Sequence, residues 1–262
     1  MNFKTIDYRE EQNIGFLTIN REEKLNALSF EVLTELKLIL MKLSNTNFSI
    51  KGIIFTGEGD KAFIAGADIQ EMSHMNSREA MEFSLLAQEV TELLEDISIP
   101  VIACVNGYAL GGGCEFALSC DYIFATENAM FGQPEVKIGL IPGFGGCVRL
   151  KRYVGPGLAK EMIYTGKSIN ADEAKEIGLV NKVFKTKNEM ISAAFESILS
   201  IMKNSPTAVS LCKQVVNSCY GVNTHESLRI EREAFGRVFE TEDKSVGINA
   251  FLDKKTAKFI GR

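Results

Sequence analysis

Histidine is scarce in this chain, and the scarcity argues against several kinds of active site. Only two of the 262 residues are histidines, His74 and His225, and both stand among polar neighbours. A histidine-rich metal site is therefore disfavoured, and a Ser-His-Asp triad would need one of these two residues. The polar surroundings favour surface positions for both. If the chain is an enzyme, carboxylates are the better candidates for its proton chemistry.

The sequence also lacks paired cysteines and membrane-length apolar segments. The six cysteines form no Cys-x-x-Cys pair, and several stand inside apolar runs, as small buried hydrophobic residues do. No apolar stretch approaches the ~20 residues that cross a bilayer, and the first ten residues lack the apolar run of a secretory signal. We therefore expect a reduced, cytoplasmic protein with neither a disulfide framework nor a membrane partner.

Positive charge is in deficit as well. The chain has 29 basic and 34 acidic residues, which give a formal net charge of −5. This balance excludes a global cationic surface for nucleic acid or anionic lipid. Hydrophobic residues make up 45% and charged residues 24% of the chain, which is typical of a soluble globular protein and excludes a disordered one.

Segments typical of strands alternate with segments typical of helices through most of the chain. The patterns predict strands over residues 16–19, 50–56, 100–105 and 122–125, and helices from residue 29 and over residues 77–96. The last part of the chain is almost entirely helical in pattern, with N-caps expected at Ser205, Thr224 and Thr241. We therefore predict an α/β body over residues 1–195 and a helical C-terminal region over residues 196–262.

Glycine is concentrated in three segments, residues 63–72, 106–118 and 131–146, and turns alone do not explain it. In the first two segments glycine precedes a predicted helix start, at Gly66 and at residues 111–113. A helix N-terminus presents unpaired backbone N–H groups, and glycine lets a substrate approach them. Two such ends facing one point would form an oxyanion hole. Tight helix packing explains the same glycines equally well.

Two glutamates accompany these segments. Glu115 stands in a first helical turn among apolar residues, where an unpaired carboxylate would be costly to bury. Glu135 follows Gln133 and Pro134 at a sharp bend before a run of glycines. Two carboxyl groups on opposite sides of a water molecule could act as general base and general acid. One helix-end charge and one surface charge remain an equally good explanation of the pattern.

At these residues the sequence resembles the enoyl-CoA hydratase (crotonase) family. The resemblance extends over nearly the whole chain, including the helical C-terminal region, and several separate motifs occur in the same order. The motifs are Lys24-Leu-Asn-Ala-Leu28, Ala65-Gly-Ala-Asp-Ile69, Asn106-Gly-Tyr-Ala-Leu-Gly-Gly-Gly-Cys-Glu115, Phe131-Gly-Gln-Pro-Glu135 and Ile141-Pro-Gly-Phe-Gly-Gly146. One departure is Cys147-Val-Arg149, where Thr-Gln-Arg is common in hydratases, and we expect this stretch to begin the next helix.

The resemblance implies a crotonase-like spiral of ββα units followed by C-terminal helices that build a homotrimer, often stacked as a homohexamer. It places the substrate thioester carbonyl between the backbone amides of Ala67 and Gly112, and it assigns the catalysis to Glu115 and Glu135. No metal or redox cofactor is implied, because coenzyme A is part of the substrate. The residues implied in contacts with substrate and coenzyme A are Lys24, Leu25, Ala65, Asp68, Ile69, Gly143, Phe251 and Lys254, the last two reaching a neighbouring subunit's coenzyme A.

Within the family, isomerases often lack one of the two glutamates, so the presence of both favours hydration. The implied reaction is reversible syn addition of water to a trans-2-enoyl-CoA, with short, crotonyl-type chains favoured, as in fatty-acid metabolism. An enoyl-CoA isomerase of the same fold is the alternative enzyme. An RNA-binding or catalytically silent member is a further alternative, but the helix over residues 78–92 is acidic where RNA binding would need lysines.

Overall fold

The computed structural model describes residues 3–262, which contain ten strands and ten α-helices. The strands are β1 (Ile6–Glu11), β2 (Ile14–Ile19), β3 (Gly52–Gly57), β4 (Ala62–Ile64), β5 (Val101–Val105), β6 (Tyr108–Leu110), β7 (Tyr122–Thr126), β8 (Met130–Gly132), β9 (Ser168–Asn170) and β10 (Lys182–Phe184). The helices are α1 (Phe30–Ser44), α2 (Ile69–Met72), α3 (Ser77–Asp96), α4 (Gly112–Leu118), α5 (Gly146–Thr165), α6 (Ala171–Glu176), α7 (Lys187–Ile201), α8 (Pro206–Ser218), α9 (Thr224–Val238) and α10 (Glu242–Leu252). Two 3-10 turns, Glu22–Lys24 and Glu135–Ile138, complete the regular structure.

The strands form two sheets. The larger sheet has the order β1-β2-β3-β5-β7-β10, and all its pairs are parallel except β1 with β2. The smaller sheet has the order β4-β6-β8-β9, in which only β9 runs antiparallel to its neighbour. Strands β3 and β5 are buried along their whole length, because helices or the other sheet cover both faces of parallel strands.

A strand–strand–helix unit occurs three times in succession. In the pairs β3–β4, β5–β6 and β7–β8, the first strand enters the larger sheet and the second enters the smaller one. Each pair is followed by helical structure, which is α2 and α3, then α4, then a 3-10 turn and α5. This repetition confirms the predicted α/β spiral of ββα units.

A second apolar core covers the outer face of the larger sheet. Ile54, Ile102 and Phe124 of this sheet pack against Met190 and Ile198 of α7. The predicted boundary between residues 195 and 196 lies inside α7. The division into two regions therefore stays a prediction, although the helical pattern predicted for the last part of the chain is confirmed.

Helix ends follow the side-chain caps, with three differences from the predictions. The helix start predicted directly after Gly66 lies further along the chain, because Asp68 caps α2 by accepting from the Glu71 N–H. Helix α1 begins after Ser29, whose Oγ accepts a hydrogen bond from the Val32 N–H, as expected. The start of α9 differs by one residue, because Asn223, a stronger N-cap, accepts from the Glu226 N–H and Thr224 becomes helical. The start of α4 also differs, since Gly112 is already helical and Gly111 alone precedes the helix.

The positions of the histidines and cysteines agree with the sequence patterns. Both histidines are exposed, and all six cysteines are free thiols. Cys104, Cys114 and Cys120 are buried, and burial raises the pKa of each thiol. Over the described range 3–262, no helix has the length and apolar character needed to cross a membrane.

The contact between α4 and β4 predicts opposite effects for two glycine-to-alanine substitutions. A Cβ at Gly113 would lie 1.8 Å from the backbone oxygen of Ile64, which cannot move aside without shifting β4. We expect Gly113→Ala to destabilise the fold by ~1–3 kcal/mol or more through overpacking. Gly236, inside α9, is the control, because open space surrounds its Cβ position and alanine favours the helix by ~1 kcal/mol.

Thermal unfolding of both variants at one protein concentration tests this prediction. The melting temperature should fall for Gly113→Ala and stay level or rise for Gly236→Ala. A Gly113→Ala protein as stable as the parent would show that the α4–β4 contact does not constrain the fold.

Candidate active site

Three loops meet at one edge of the smaller sheet. Strands β4, β6 and β8 are parallel neighbours, so their carboxyl ends lie side by side. The chain leaves these ends through residues 65–67, 111–112 and 133–135. A Cβ at Gly66 would lie 3.4 Å from the Leu110 oxygen, which shows how closely the first two loops approach. The three glycine-containing segments of the sequence therefore converge.

The backbone amide of Ala67 is left free by its pairing with Leu28. The Leu28 N–H donates to the Gly66 oxygen at 2.9 Å, and the Asp68 N–H donates to the Leu28 oxygen at 2.7 Å. In such a parallel bridge the middle residue directs its own N–H away from the partner strand. Within the range 3–262, the Ala67 N–H donates no hydrogen bond.

The backbone amide of Gly112 is free for a different reason. Gly112 is the first residue of α4, and the first four N–H groups of a helix have no acceptor inside it. Its N–H also donates to no other part of the described chain. The structure thus places two free amides, those of Ala67 and Gly112, on adjacent loops. Their predicted role as an oxyanion hole stays a prediction.

Glu115 is buried one helical turn after Gly112, with 1% of its surface exposed. Its Oε1 accepts hydrogen bonds from the Phe144 N–H at 2.8 Å and the Gly146 N–H at 2.6 Å. Burial raises the pKa of the Glu115 carboxyl to about 7, the Gly146 hydrogen bond opposes this rise, and the charge of Glu135 adds to it. The loop over residues 143–146 therefore holds the Glu115 carboxyl group in place, but its hydrogen bonds do not cancel the rise in pKa that burial causes.

Glu135 reaches the same place from the loop after β8. A Cβ at Gly111 would lie 2.8 Å from Glu135 Oε1, so a side chain there would displace the Glu135 carboxyl group, and the φ of +52° at Gly111 favours glycine. The amide nitrogen of buried Gln133, in the orientation that satisfies its neighbours, donates to Glu135 Oε1 at 2.9 Å. Burial raises the pKa of Glu135 as well. Two carboxyl groups with raised pKa therefore flank the start of α4.

A partly buried ion pair anchors the loop over residues 143–146. Arg149 donates through Nη1 to the Phe144 oxygen at 3.0 Å and through Nη2 to Glu95 Oε2 at 2.5 Å. The expected helix start near residues 147–149 is confirmed, since α5 begins at Gly146. The departure from Thr-Gln-Arg keeps the arginine, and this arginine holds the loop that contacts Glu115.

The sequence motifs assigned no role to Gln133, Phe144 or Arg149, although all three residues contact the site. Gln133 precedes Glu135 by two residues, and Phe144 is the one aromatic residue in a run of glycines. An uncharged polar residue before a candidate acid, and an aromatic residue among glycines, are signals that could have identified them.

Four of the residues implied in coenzyme A binding lie together beside the free Ala67 amide. The Ala65 N–H donates to the Leu25 oxygen at 3.1 Å, and Lys24 Nζ donates to Gln70 Oε1 at 3.5 Å. Leu25 and Ile69 are exposed apolar side chains. An exposed lysine next to exposed apolar side chains could accept a phosphate and an adenine ring, although this role stays a prediction.

Two further residues predicted to contact the substrate already form hydrogen bonds within the chain. The Asp68 carboxylate accepts from Arg21 Nη2 at 3.2 Å and caps α2 by accepting from the Glu71 N–H. The Gly143 oxygen accepts from Ser84 Oγ at 2.6 Å. Through these bonds both residues hold the loops of the site in place, and a contact of either with substrate stays a prediction.

Phe251 and Lys254 lie away from these loops. Phe251 belongs to the last turn of α10 and is 83% exposed, and the Lys254 N–H donates to its oxygen. Across residues 3–262, neither residue forms a hydrogen bond with the other predicted site residues. The structure of one chain does not bring them to the site, and the predicted contact with a neighbouring subunit is untested.

Comparisons with known proteins identify the class to which this fold and site belong. A family model described as Enoyl-CoA hydratase/isomerase matches residues 9–262. The chain is 45% identical over 255 residues to the short-chain-enoyl-CoA hydratase of Clostridium acetobutylicum, with 97% of each chain covered. It is 44% identical over 262 residues to the crotonyl-CoA hydratase of Syntrophomonas wolfei, with both chains covered completely.

Solved structures of similar fold agree with these sequence matches. The crystal structure of enoyl-CoA hydratase from Bacillus anthracis matches with a TM-score of 0.94 and 38% identity, covering 99% of this chain and all of the other. The chain therefore belongs to the enoyl-CoA hydratase/isomerase family. The predicted family, the crotonase fold class and the prediction of an enoyl-CoA hydratase are confirmed.

The raised pKa of Glu115 predicts a pH-dependent stability. The folded carboxyl, with a pKa of about 7, binds a proton more tightly than the unfolded carboxyl at 4.5. Stability contributed by this group is therefore present below pH 4.5 and is lost as the pH rises towards 7. The loss is on the order of 3 kcal/mol. Glu115→Gln removes the titrating group. The melting temperature of this variant minus that of the parent should therefore increase from pH 5 to pH 8.

Thermal unfolding in steps from pH 5 to pH 8 measures this difference. Glu231→Gln, at an exposed position of α9, is the control and should follow the parent at every pH. Parallel curves for the parent and Glu115→Gln would mean that the buried carboxyl does not titrate in this range.

Proposed function

We propose that the chain catalyses reversible syn addition of water to trans-2-enoyl-CoA thioesters, giving 3-hydroxyacyl-CoA, with short, crotonyl-type chains preferred. The observation that carries this proposal is the pair of carboxyl groups with raised pKa, Glu115 and Glu135, beside the free amides of Ala67 and Gly112. The names of the two bacterial relatives, a short-chain-enoyl-CoA hydratase and a crotonyl-CoA hydratase, support the short-chain preference.

The two free amides would bind the thioester oxygen. When water adds to C3, negative charge develops on that oxygen as in an enolate, and the N–H groups of Ala67 and Gly112 can stabilise it. Preorganised backbone donors suit this task because they need no rearrangement during the reaction. Loss of one donor of this kind typically lowers turnover by ~10²–10³-fold.

The two glutamates would handle the protons. Glu135, as a carboxylic acid, donates its proton to C2, while the water oxygen bonds to C3 from the same side and its released proton passes to Glu115. The carboxyl pair holds one proton before and after the step, so the atoms balance. Burial raises the pKa of both carboxyl groups, and the charge of Glu135 raises that of Glu115 further, so a pair that holds one proton is favoured over two carboxylates.

The scheme uses no metal ion and no redox cofactor, because the two amides stabilise the charge on the thioester oxygen and the two carboxyl groups transfer the protons. Coenzyme A enters as part of the substrate, and we assign its adenine end to the exposed surface of Lys24, Leu25 and Ile69. The absence of a cofactor and the cytoplasmic location stay predictions.

The paired mechanism predicts non-additive losses in a double-mutant cycle. Glu115→Gln and Glu135→Gln keep the shape of each side chain but remove its acid–base function, so each should lower kcat by ~10²–10⁴-fold. The double variant should lose much less than the product of the single losses, because the two groups act on one water molecule. The assay is loss of the enoyl-thioester absorbance with crotonyl-CoA, and calorimetry should show substrate affinity largely retained.

Glu231→Gln is the control and should retain full turnover. Near-normal kcat in either single active-site variant would reject the two-carboxyl mechanism. The same proteins should be assayed with a 3-enoyl-CoA, since faster turnover of this substrate by the parent would favour the isomerase.

We further propose that the chain forms a homotrimer or a homohexamer. Large apolar side chains remain exposed on α9 and α10, with Phe235 at 65%, Phe239 at 52% and Phe251 at 83% exposure. Over residues 3–262 of one chain these side chains stay uncovered, and exposed apolar surface of this kind is typical of an interface.

Light scattering at micromolar concentration tests the assembly. Three chains of 28.9 kDa should give about 87 kDa, and six should give twice that mass. A species of one chain's mass would contradict both assemblies and, with them, the proposed contact of Phe251 and Lys254 with a neighbouring subunit.

A further inference from the structure

The loop over residues 143–146 lies between the Glu115 carboxyl group and a positive charge. On one side, Glu115 Oε1 accepts hydrogen bonds from the Phe144 and Gly146 N–H groups. On the other side, Arg149 Nη1 donates to the Phe144 oxygen at 3.0 Å. One loop residue, Phe144, therefore contacts both the guanidinium group and the carboxyl group assigned to the water.

Arg149 lies against the backbone of this loop and is buried, with 7% of its surface exposed. A Cβ at Gly145 would displace the guanidinium group, and the φ of +115° at Gly145 favours glycine. Within residues 3–262, Arg149 Nε finds no hydrogen-bond acceptor. Solvent screens a charge weakly when it is buried in this way, so the charge acts on groups beyond its direct partners.

Glu95 of α3 reduces this positive charge without cancelling it. Its Oε2 accepts from Arg149 Nη2 at 2.5 Å, and its Oε1 accepts from Arg152 Nη1 at 3.3 Å. One carboxylate thus faces two guanidinium groups, and the cluster keeps a positive charge in excess. Glu95 and Arg152 are partly exposed whereas Arg149 is buried, so the member of the cluster that contacts the loop is the least screened.

We propose that Arg149 and Glu95 are positioning residues for Glu115: Arg149 holds the loop and applies its positive charge to the carboxyl group, and Glu95 limits that charge. This inference rests on the proposed function, in which Glu115 must be a carboxylate to receive a proton from water. A positive charge nearby favours the carboxylate form. Burial raises the pKa of Glu115, and the charge of Arg149 opposes that rise.

The other ionisable groups around Glu115 do not supply this positive charge. Glu135, from the turn after β8, raises the pKa of Glu115. Cys114 of α4 and Cys147 of α5 are thiols whose pKa is raised, first by burial and then by the charge of Glu115, so both stay protonated near neutral pH. The loop over residues 143–146 contains no ionisable side chain.

The test is the pH dependence of kcat/KM for crotonyl-CoA. Activity should fall on the acidic side when the carboxyl pair takes up a second proton. Arg149→Met removes the positive charge, so this fall should move up by ~0.5–1 pH unit, with kcat/KM on the acidic side ~3–10-fold lower. Glu95→Gln removes the compensating charge and should move the fall down. Damage to the loop alone would not move the two profiles in opposite directions.

Matched variants keep the result interpretable. Arg149→Lys retains the charge but holds the loop with fewer hydrogen bonds, so its acidic fall should stay near that of the parent even where kcat drops. Arg78→Met and Glu82→Gln each break an exposed ion pair on α3 and should leave the profile unchanged. If Arg149→Met does not fold, the absence of a downward shift in Glu95→Gln overturns the proposal by itself.

Thermal unfolding detects the same charges without catalysis. Glu115→Gln is added to each variant, and the melting-temperature difference that it produces is followed from pH 5 to pH 8. This difference should increase more steeply in Arg149→Met than in the parent and less steeply in Glu95→Gln, because the folded pKa of Glu115 moves up in the first and down in the second.

The inference is overturned if the two variants shift the kinetic and thermal profiles in the same direction, or if neither variant shifts them. Thermal shifts of opposite sign in a protein whose parent does not hydrate crotonyl-CoA would refute the proposed function and leave the action of Arg149 and Glu95 on Glu115 in place.

Discussion

The parallel pairing of three short strands is the constraint on which the rest of the site depends. In the smaller sheet, Leu110 pairs with Gly132, and Ile64 pairs with Ala109, so the chain leaves all three strands at one edge. Antiparallel pairing would have sent alternate loops to opposite edges. Residues separated by almost seventy positions, from Ala67 to Glu135, therefore lie around one space.

Burial of Glu115 shows how stability and proposed chemistry are linked. A buried carboxyl group is costly unless backbone N–H groups compensate it. Here the Phe144 and Gly146 amides do so, and Arg149 holds their loop from behind. The compensation is incomplete, and the pKa of the Glu115 carboxyl rises to about 7, so the carboxylate can take up a proton near neutral pH. The environment that destabilises the carboxylate is thus the one that suits it to proton transfer.

Prediction from the sequence succeeded where local physical chemistry decides the outcome. The start of α1 directly after Ser29 and the bounds of α3, 77–96, followed from capping residues and apolar spacing. The start of α9 was wrong by one residue because Asn223 and Thr224 are both competent caps and the prediction chose the weaker one. The site residues were found through motifs, since patterns alone left a packing explanation open for the same glycines and glutamates.

The sequence by itself determined the succession of elements and identified the two glutamates as candidates, because residue type, charge and periodicity are local properties. Only the tertiary structure decided that Gln133 contacts Glu135, and that the Phe144 ring packs on Gly112. The first contact is between residues two positions apart and depends on the bend of the chain after β8, whereas the second joins two separate loops and depends on how they pack. Local sequence preferences do not specify such distances, because they arise when separate elements pack together.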